Sequence, residues 1–301
     1  MERIGEFMNN TKPIFKVLDI LIILLLLIVT IAGIYSFNTS HSYEFVNQYG
    51  DSIQMWGAGI YAHDSYFKAP IFIGSDVTII LFVVPLSIVT FLRTWKEESV
   101  ENYIRSFGMV SMLLYYSSSI AFGVTYNSLH LVYITLFGVC FFSTCMLLAK
   151  LHTFGIRQEK VCSYHFTKGM KVFLLVAGVS LFVAWLPDII MSITSGTSLE
   201  LIEVYTTEIT YVLDMGIISP LIFITYYLIR HEDFLGYVFL RMIFKICICI
   251  GVMLPIQTIF QLLAGISIPI PALITKCFIF VVMSIFATYF EYCIKRKTQY
   301  I

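Results

Sequence analysis

Charge is scarce in this sequence. Asp, Glu, Lys and Arg make up only 13% of the 301 residues, about half the share of an ordinary soluble domain. The formal net charge is zero, so the bulk attraction on which nucleic-acid binding rests is missing, and no nucleic-acid partner is expected. Cysteine is absent from the two long polar intervals at 36–74 and 194–208. Cys140, Cys145, Cys162, Cys247, Cys249, Cys277 and Cys293 all lie elsewhere, which argues against an exported disulfide framework. Cys247 and Cys249, two apart on a helix, point in different directions and read as small apolar fillers rather than a metal pair. There is no HExxH, no GxSxG and no phosphate-binding glycine loop, which leaves no local signature of a zinc protease, serine hydrolase or nucleotide enzyme. Ser117-Ser118-Ser119 sits inside an apolar run, where hydroxyls commonly bond to helix carbonyls. No metal and no cofactor is expected.

Apolar residues are what is there: 58% of the chain, with 26 Phe and 19 Tyr. Several runs reach the roughly 20 residues that cross about 30 Å of hydrocarbon. They do not alternate as barrel strands do, so the expected fold is all-α, a polytopic bundle of transmembrane helices. The basic start with Arg3, Lys12 and Lys16 resembles a signal peptide. The apolar run to Tyr35 is too long for a signal core, however, and SFNTS is not a small-x-small cleavage site, so it reads as a retained span. Spans are expected at about 14–35, 75–92, 107–124, 128–150, 170–193, 209–229, 244–264 and 272–294, all in one membrane domain covering 1–301. With the N-terminus inside, 17 of the 19 basic residues fall on the inner side, leaving Lys68 and Lys276 toward the outside. That asymmetry predicts eight helices with both termini inside. The inner connections 94–106 and 231–245 have the pattern of interfacial helices.

The interval 36–74 reads as an outer lid over the bundle. Ile53–Trp56 and Ile60–His63 flank Gly57-Ala58-Gly59, the pattern of a short β-hairpin. A weak repeat runs through the spans: Asp76 precedes Pro85-Leu86 and a span ending at Arg93, and Asp214 precedes Pro220-Leu221 and a span ending at Arg230. Both would lie in the second helix of a four-helix half, so any duplication would be parallel.

Polar groups in the outer parts of the spans are the candidate ligand-binding residues. They are His63 and Asp64 in the lid, Asp76 in the second span, and Tyr126 and His130 with Tyr133 on one face of the fourth. Asp188 in the fifth, Asp214 in the sixth, Gln257 and Gln261 in the seventh and Lys276 in the eighth complete the set. A charge within the bilayer costs on the order of 2.5–3.5 kcal/mol even on lenient scales, so such groups face the bundle interior or pair. Capping would explain Asp76 and snorkelling Lys276. Asp214, or failing it Asp188, is expected within ion-pairing reach of Lys276. No catalytic residue can be assigned.

Three stretches carry a resemblance: YGDSIQMWGAGIYAHDS with GSDVTIILFVVPL, YYSSSIAFGVTYNSLHLVYITLF, and LDMGIISPLIFITYYLIRHEDFLGY. Together they resemble a family of uncharacterised bacterial multi-pass membrane proteins. The resemblance implies a bacterial cell membrane and an eight-helix plan, and it brings no activity. The partners expected are the lipid bilayer and an unidentified small solute or lipid. The reading is a transporter or ligand-binding membrane protein with an outward-facing polar pocket. A membrane-embedded enzyme acting on a lipid or lipid-linked substrate, or a sensor or accessory subunit, are the alternatives.

Overall fold

The computed structural model describes residues 12–158, 166–199 and 201–298, without the side chains of 156–158, 272, 275–276 and 295–298. Eight long helices account for most of it. They are α1 (Lys12–Tyr35), α2 (Ala69–Lys96), α3 (Val100–Gly123), α4 (His130–Gln158), α5 (Lys168–Ser195), α6 (Ile209–Arg230), α7 (Phe234–Leu263) and α8 (270–298). Among the described residues, six of these are long and apolar enough to cross a membrane; α3 is not among them, and the fully described part of α8, Ile279–Ile294, is a shorter apolar helix. α3 opens with Glu101 and Arg105 and carries Tyr115, Tyr116 and five serines, and its residues are buried on nearly every face. Protein rather than lipid surrounds it, so composition alone understates it.

α3 and α7 form the centre and pack on each other. In the first half, α1 packs on α2 and α4, and α3 on α2 and α4. In the second half, α5 packs on α6 and α8, and α7 on α6 and α8. Across the junction, α2 meets α7 and α6 meets α3. Advancing every helix by four maps these pairs onto one another, the arrangement that a parallel repeat predicts.

Three helices contain a single widened π turn, at Ile79–Val83 in α2, Asp214–Ile218 in α6 and Ile274–Phe278 in α8. The first two end two residues before Pro85 and Pro220. A proline ring clashes with the carbonyl four residues back and offers it no N–H. That carbonyl belongs to Leu81 in one helix and Gly216 in the other, both inside the widened turn, so the helix continues through the proline without a break.

The expected interfacial helices are not separate elements. α2 ends at Lys96, and Ser99 caps α3 by accepting from the Asn102 N–H. Asp233 caps α7 in the same way, and 234–245 is simply its first turns. Its apolar face is buried, and so is Arg241. The guanidinium forms ion pairs with Glu291 at 2.6 Å and Glu101 at 2.9 Å, and it donates to the Tyr237 hydroxyl at 2.7 Å. The charge that suggested a headgroup contact is satisfied inside the protein.

The lid does hold a hairpin after the first helix, but not between the expected segments. β1 (Tyr43–Val46) pairs antiparallel with β2 (Ser52–Met55), from Tyr43 opposite Met55 to Val46 opposite Ser52. Asn47 makes the turn, its side-chain oxygen accepting from the N–H groups of Tyr49 and Asp51, each at 2.9 Å. The second segment, Ile60–His63, begins inside a short 3-10 turn, Gly59–Tyr61, instead. Gly57 does not sit in a hairpin loop. It has φ +77°, and a Cβ there would come within 1.9 Å of the His41 carbonyl oxygen, so the glycine lets the lid lie against its own start.

Candidate functional site

A cavity of about 540 Å³ lies at the junction of the halves. α3 contributes Tyr115, Tyr116 and Ser119, α7 contributes Met253, Gln257 and Gln261, and α8 contributes Leu273, Cys277 and Phe280. Ile71 and Ser75 of α2, Trp185 of α5, and Tyr211 and Asp214 of α6 complete the wall. Most of this surface is apolar or aromatic, with a few convergent polar groups, the usual make-up of a small-molecule site. Gln257 donates to the Ser75 hydroxyl at 2.7 Å and Gln261 to the Phe67 carbonyl at 3.1 Å. Both glutamines thereby fasten α7 to the start of α2.

Asp214 stands on the cavity wall at the first residue of its π turn. Tyr115 donates to one carboxylate oxygen at 2.8 Å and the Trp185 indole N–H to the other at 2.9 Å. The Trp185 ring stacks on Tyr211, with centroids 4.8 Å apart and planes at 25°, and the Tyr211 hydroxyl donates to Asp188 at 2.7 Å. Hydrogen bonds to a charged group contribute about 1.5–3 kcal/mol each. Two of them offset the roughly 2.5–3.5 kcal/mol cost of a carboxylate in a bilayer.

Asp76 lies one tyrosine away, behind the cavity wall. Tyr116 donates to one of its oxygens at 2.5 Å and Tyr61, reaching down from the lid, to the other at 2.6 Å. α1 passes so close that a Cβ at Gly33 would come within 1.7 Å of the carboxylate. The capping explanation of Asp76 does not describe this geometry, because α2 begins seven residues earlier, at Ala69.

The lid end of the cavity is closed by charge and hydrogen bonds. Lys68 pairs with Glu208, both on the cavity wall, and its ammonium lies 4.1 Å from the centre of the Tyr205 ring. Tyr205 donates to Asp64 at 3.0 Å, and its oxygen accepts from the Ser65 N–H at 3.2 Å. The Ser65 hydroxyl donates to Glu203, and Asn47 donates to the Glu203 carbonyl at 2.9 Å. The loop before α6 is thus bound to the lid at several points. Burial pushes the Asp64 carboxyl up to about 7, against hydrogen bonds from Thr125 and Tyr205 and the nearby charge of Lys68. Burial raises Glu203 as well, opposed by Ser65 and Lys68.

Of the candidate residues, Asp214, Gln257 and Gln261 line the cavity directly. Asp188 is joined to it through Tyr211, Asp76 is buried behind Tyr116 of its wall, and Asp64 is buried in the lid. His63 is exposed on the lid, its Nδ1 3.2 Å from the Tyr43 hydroxyl. Tyr126 is 78% exposed and precedes α4 rather than sharing a helical face with His130. His130 opens α4 with a buried Nδ1 that has no partner among the described residues. The side chain of Lys276 lies outside the described residues, and with it the ion pair expected with Asp214 or Asp188.

Tyr61, Tyr115, Tyr116 and Trp185 hold the two aspartates, and the motif reading passed over them. Their signal was faint: an aromatic with a polar tip inside an apolar run, which needs a hydrogen-bond partner when buried. Comparison with protein-family models, with curated proteins and with solved structures finds no match to the chain.

Proposed function

We propose that the chain is a multi-pass carrier or receptor that holds a small amphipathic solute in the cavity between its two four-helix halves. One observation carries this reading: a largely apolar cavity inside the bundle has Asp214 on its wall and an ion-paired closure, Lys68 with Glu208, at its lid end. Opening that pair would connect the cavity to the lid side, the side that the distribution of basic residues assigns to the exterior. The neighbouring π turns, in α6 and α8, supply helix segments whose hydrogen bonds can rearrange; such turns recur at functional sites. A bacterial cytoplasmic membrane is the location that fits the resemblance of the three stretches.

The test is solute-dependent thermal stabilisation of the purified protein in a non-ionic detergent. A solute at a hundred times its Kd should stabilise the protein by about 2.7 kcal/mol. Ser119→Trp, which fills the cavity from α3, should abolish that gain. If stabilisation survives the substitution, the solute sits elsewhere; if no solute of any charge class stabilises the protein, the carrier reading is wrong. Sidedness is tested separately, by cysteine labelling of intact cells. Ser40→Cys and Thr197→Cys should react from outside, and Glu98→Cys only after the membrane is opened.

A further inference from the structure

The cavity contains two acidic side chains in very different circumstances. Glu208, at the lid end, is already paired with Lys68. Asp214, deeper in the cavity, has neutral donors as its described partners, the Tyr115 hydroxyl and the Trp185 indole N–H. These orient the carboxylate and use one acceptor position on each oxygen. A carboxylate offers about four such positions in all, so its negative charge still presents unused acceptors beside the cavity.

The surfaces around it are aromatic. Trp185 and Tyr211 are stacked, Tyr115 and Tyr116 enter from α3, and Phe280 enters from α8. Ring faces beside an oriented carboxylate are the arrangement that recognises organic cations: the carboxylate supplies a formal charge, and the ring quadrupoles attract a weakly hydrated cation with little cost of dehydration. An anionic headgroup would be repelled by Asp214. A neutral sugar would leave the carboxylate without a counter-charge and apply many hydroxyls to an apolar wall. Away from Asp214 the cavity is bounded by Leu273 and by Ile268 and Pro269 at the start of α8, a surface suited to an alkyl group.

Building on the cavity reading, we infer that the solute is an amphipathic organic cation. Its ammonium-type head is seated against Asp214 and the Trp185–Tyr211 stack, and its apolar part lies along the first turns of α8. Glu208 is not the anchor, because Lys68 already holds it.

Three probes with the same six-carbon chain test this: hexyltrimethylammonium, hexanol and hexanoate, titrated calorimetrically into the purified full-length protein. Hexyltrimethylammonium should bind at least about tenfold more tightly than hexanol, a preference of about 1.4 kcal/mol, and hexanoate should bind worst. Asp214→Asn should bring hexyltrimethylammonium to within about threefold of hexanol while leaving hexanol binding unchanged. Trp185→Phe, which keeps a ring but removes the N–H, should lower cation affinity by a smaller factor. Equal binding of the cation and the alcohol by the unsubstituted protein would overturn the charge assignment and leave the cavity reading standing. Failure of all three probes would end both. A cation preference that appears only in Lys276→Met would also overturn the proposal, because the lysine would then be the resident cation. Because Asp214→Asn could disturb folding, its melting temperature without solute is measured first. If it does not fold, Glu208→Gln replaces it, and the cation preference should persist in that variant; its loss there would place the anchor at the lid end and refute the assignment to Asp214.

Discussion

Asp76 and Asp214 occupy corresponding helices, α2 and α6, each close to a widened turn followed by a proline. Both are buried, and both accept hydrogen bonds from aromatic side chains, one of which in each case is a tyrosine of α3. Yet Asp76 is walled in while Asp214 faces a cavity. The difference lies in what the neighbouring elements bring. In the first half, Gly33 of α1 lets that helix close onto Asp76, and the lid inserts Tyr61 from the other side. In the second half, α5 presents Trp185 at the same task, and α8 packs chiefly on α7, which leaves space between α8 and α6. One scaffold, used twice, gives a structural carboxylate where a lid fills it and a candidate binding carboxylate where no lid does.

The comparison extends to the opposite end of the bundle. There the second half is locked by Arg241, which is buried between Glu101 and Glu291. The first half is tied by Lys12 and Lys150 to Glu98, a group left one-third exposed. Arg241→Ala should be the most damaging change, losing about 3–5 kcal/mol because it removes the buried cation shared by Glu291 and Glu101 and leaves Glu101 only the half-buried Arg105; a melting curve in detergent would show it. A change of less than 1 kcal/mol would mean that the network is solvated.

The two aspartate sites are separated next by a pair of glycines. Gly33→Ala forces a methyl group onto the Asp76 carboxylate and should cost about 1–3 kcal/mol. Gly216→Ala, in the π turn of α6 where nothing lies within 4 Å of the added carbon, should stay within about 0.5 kcal/mol. Equal effects on the melting temperature would dissolve the contrast between a closed and an open site.

Lid docking should depend on pH through Asp64. Its carboxyl is raised to about 7 in the folded state, so the stability it contributes is fully present below its ordinary value near 4 and is lost as pH rises through 7. The loss should accumulate between pH 4 and pH 7, at about 1.4 kcal/mol, or tenfold, per pH unit, and level off above pH 7, where the carboxyl is ionised whether the lid is docked or not. Hydrogen-exchange protection of residues 61–66, corrected for intrinsic rates, is the measurement. Asp64→Asn should flatten the profile. Lys12→Ala should have the smallest effect, below about 1 kcal/mol, because both partners are substantially exposed.

The helices were legible because each apolar run must satisfy its own backbone, which leaves only one structure available to it. The inward placement of Asp76 and Asp214 was legible too, from the cost of the alternative. Their partners were not. Tyr115 lies 99 residues from Asp214 and Trp185 lies 29 away, and no local periodicity encodes such contacts. Arg241 misled for a related reason. It lies in a segment with the pattern of an interfacial helix, but the two carboxylates that take it inside come from α3 and α8. In the lid, the Asn47–Asp51 turn was the better hairpin signal, and the glycines at 57 and 59 drew attention from it because close approach and tight turning ask for the same residue.

The widened turns at 79–83, 214–218 and 274–278 bear finally on where this chain can change its length. A π turn is one residue absorbed into an α-helix, with the flanking segments left in place. Deleting Gly216 should therefore return α6 to regular winding without moving either of its ends, altering only the turn beside the cavity. The same deletion in the middle of α3 has no spare residue to remove. It would rotate one end against the other by about 100° and carry Tyr115 and Tyr116 away from both aspartates at once. Relatives that differ from this chain by a single residue within a helix should carry the difference in α2, α6 or α8.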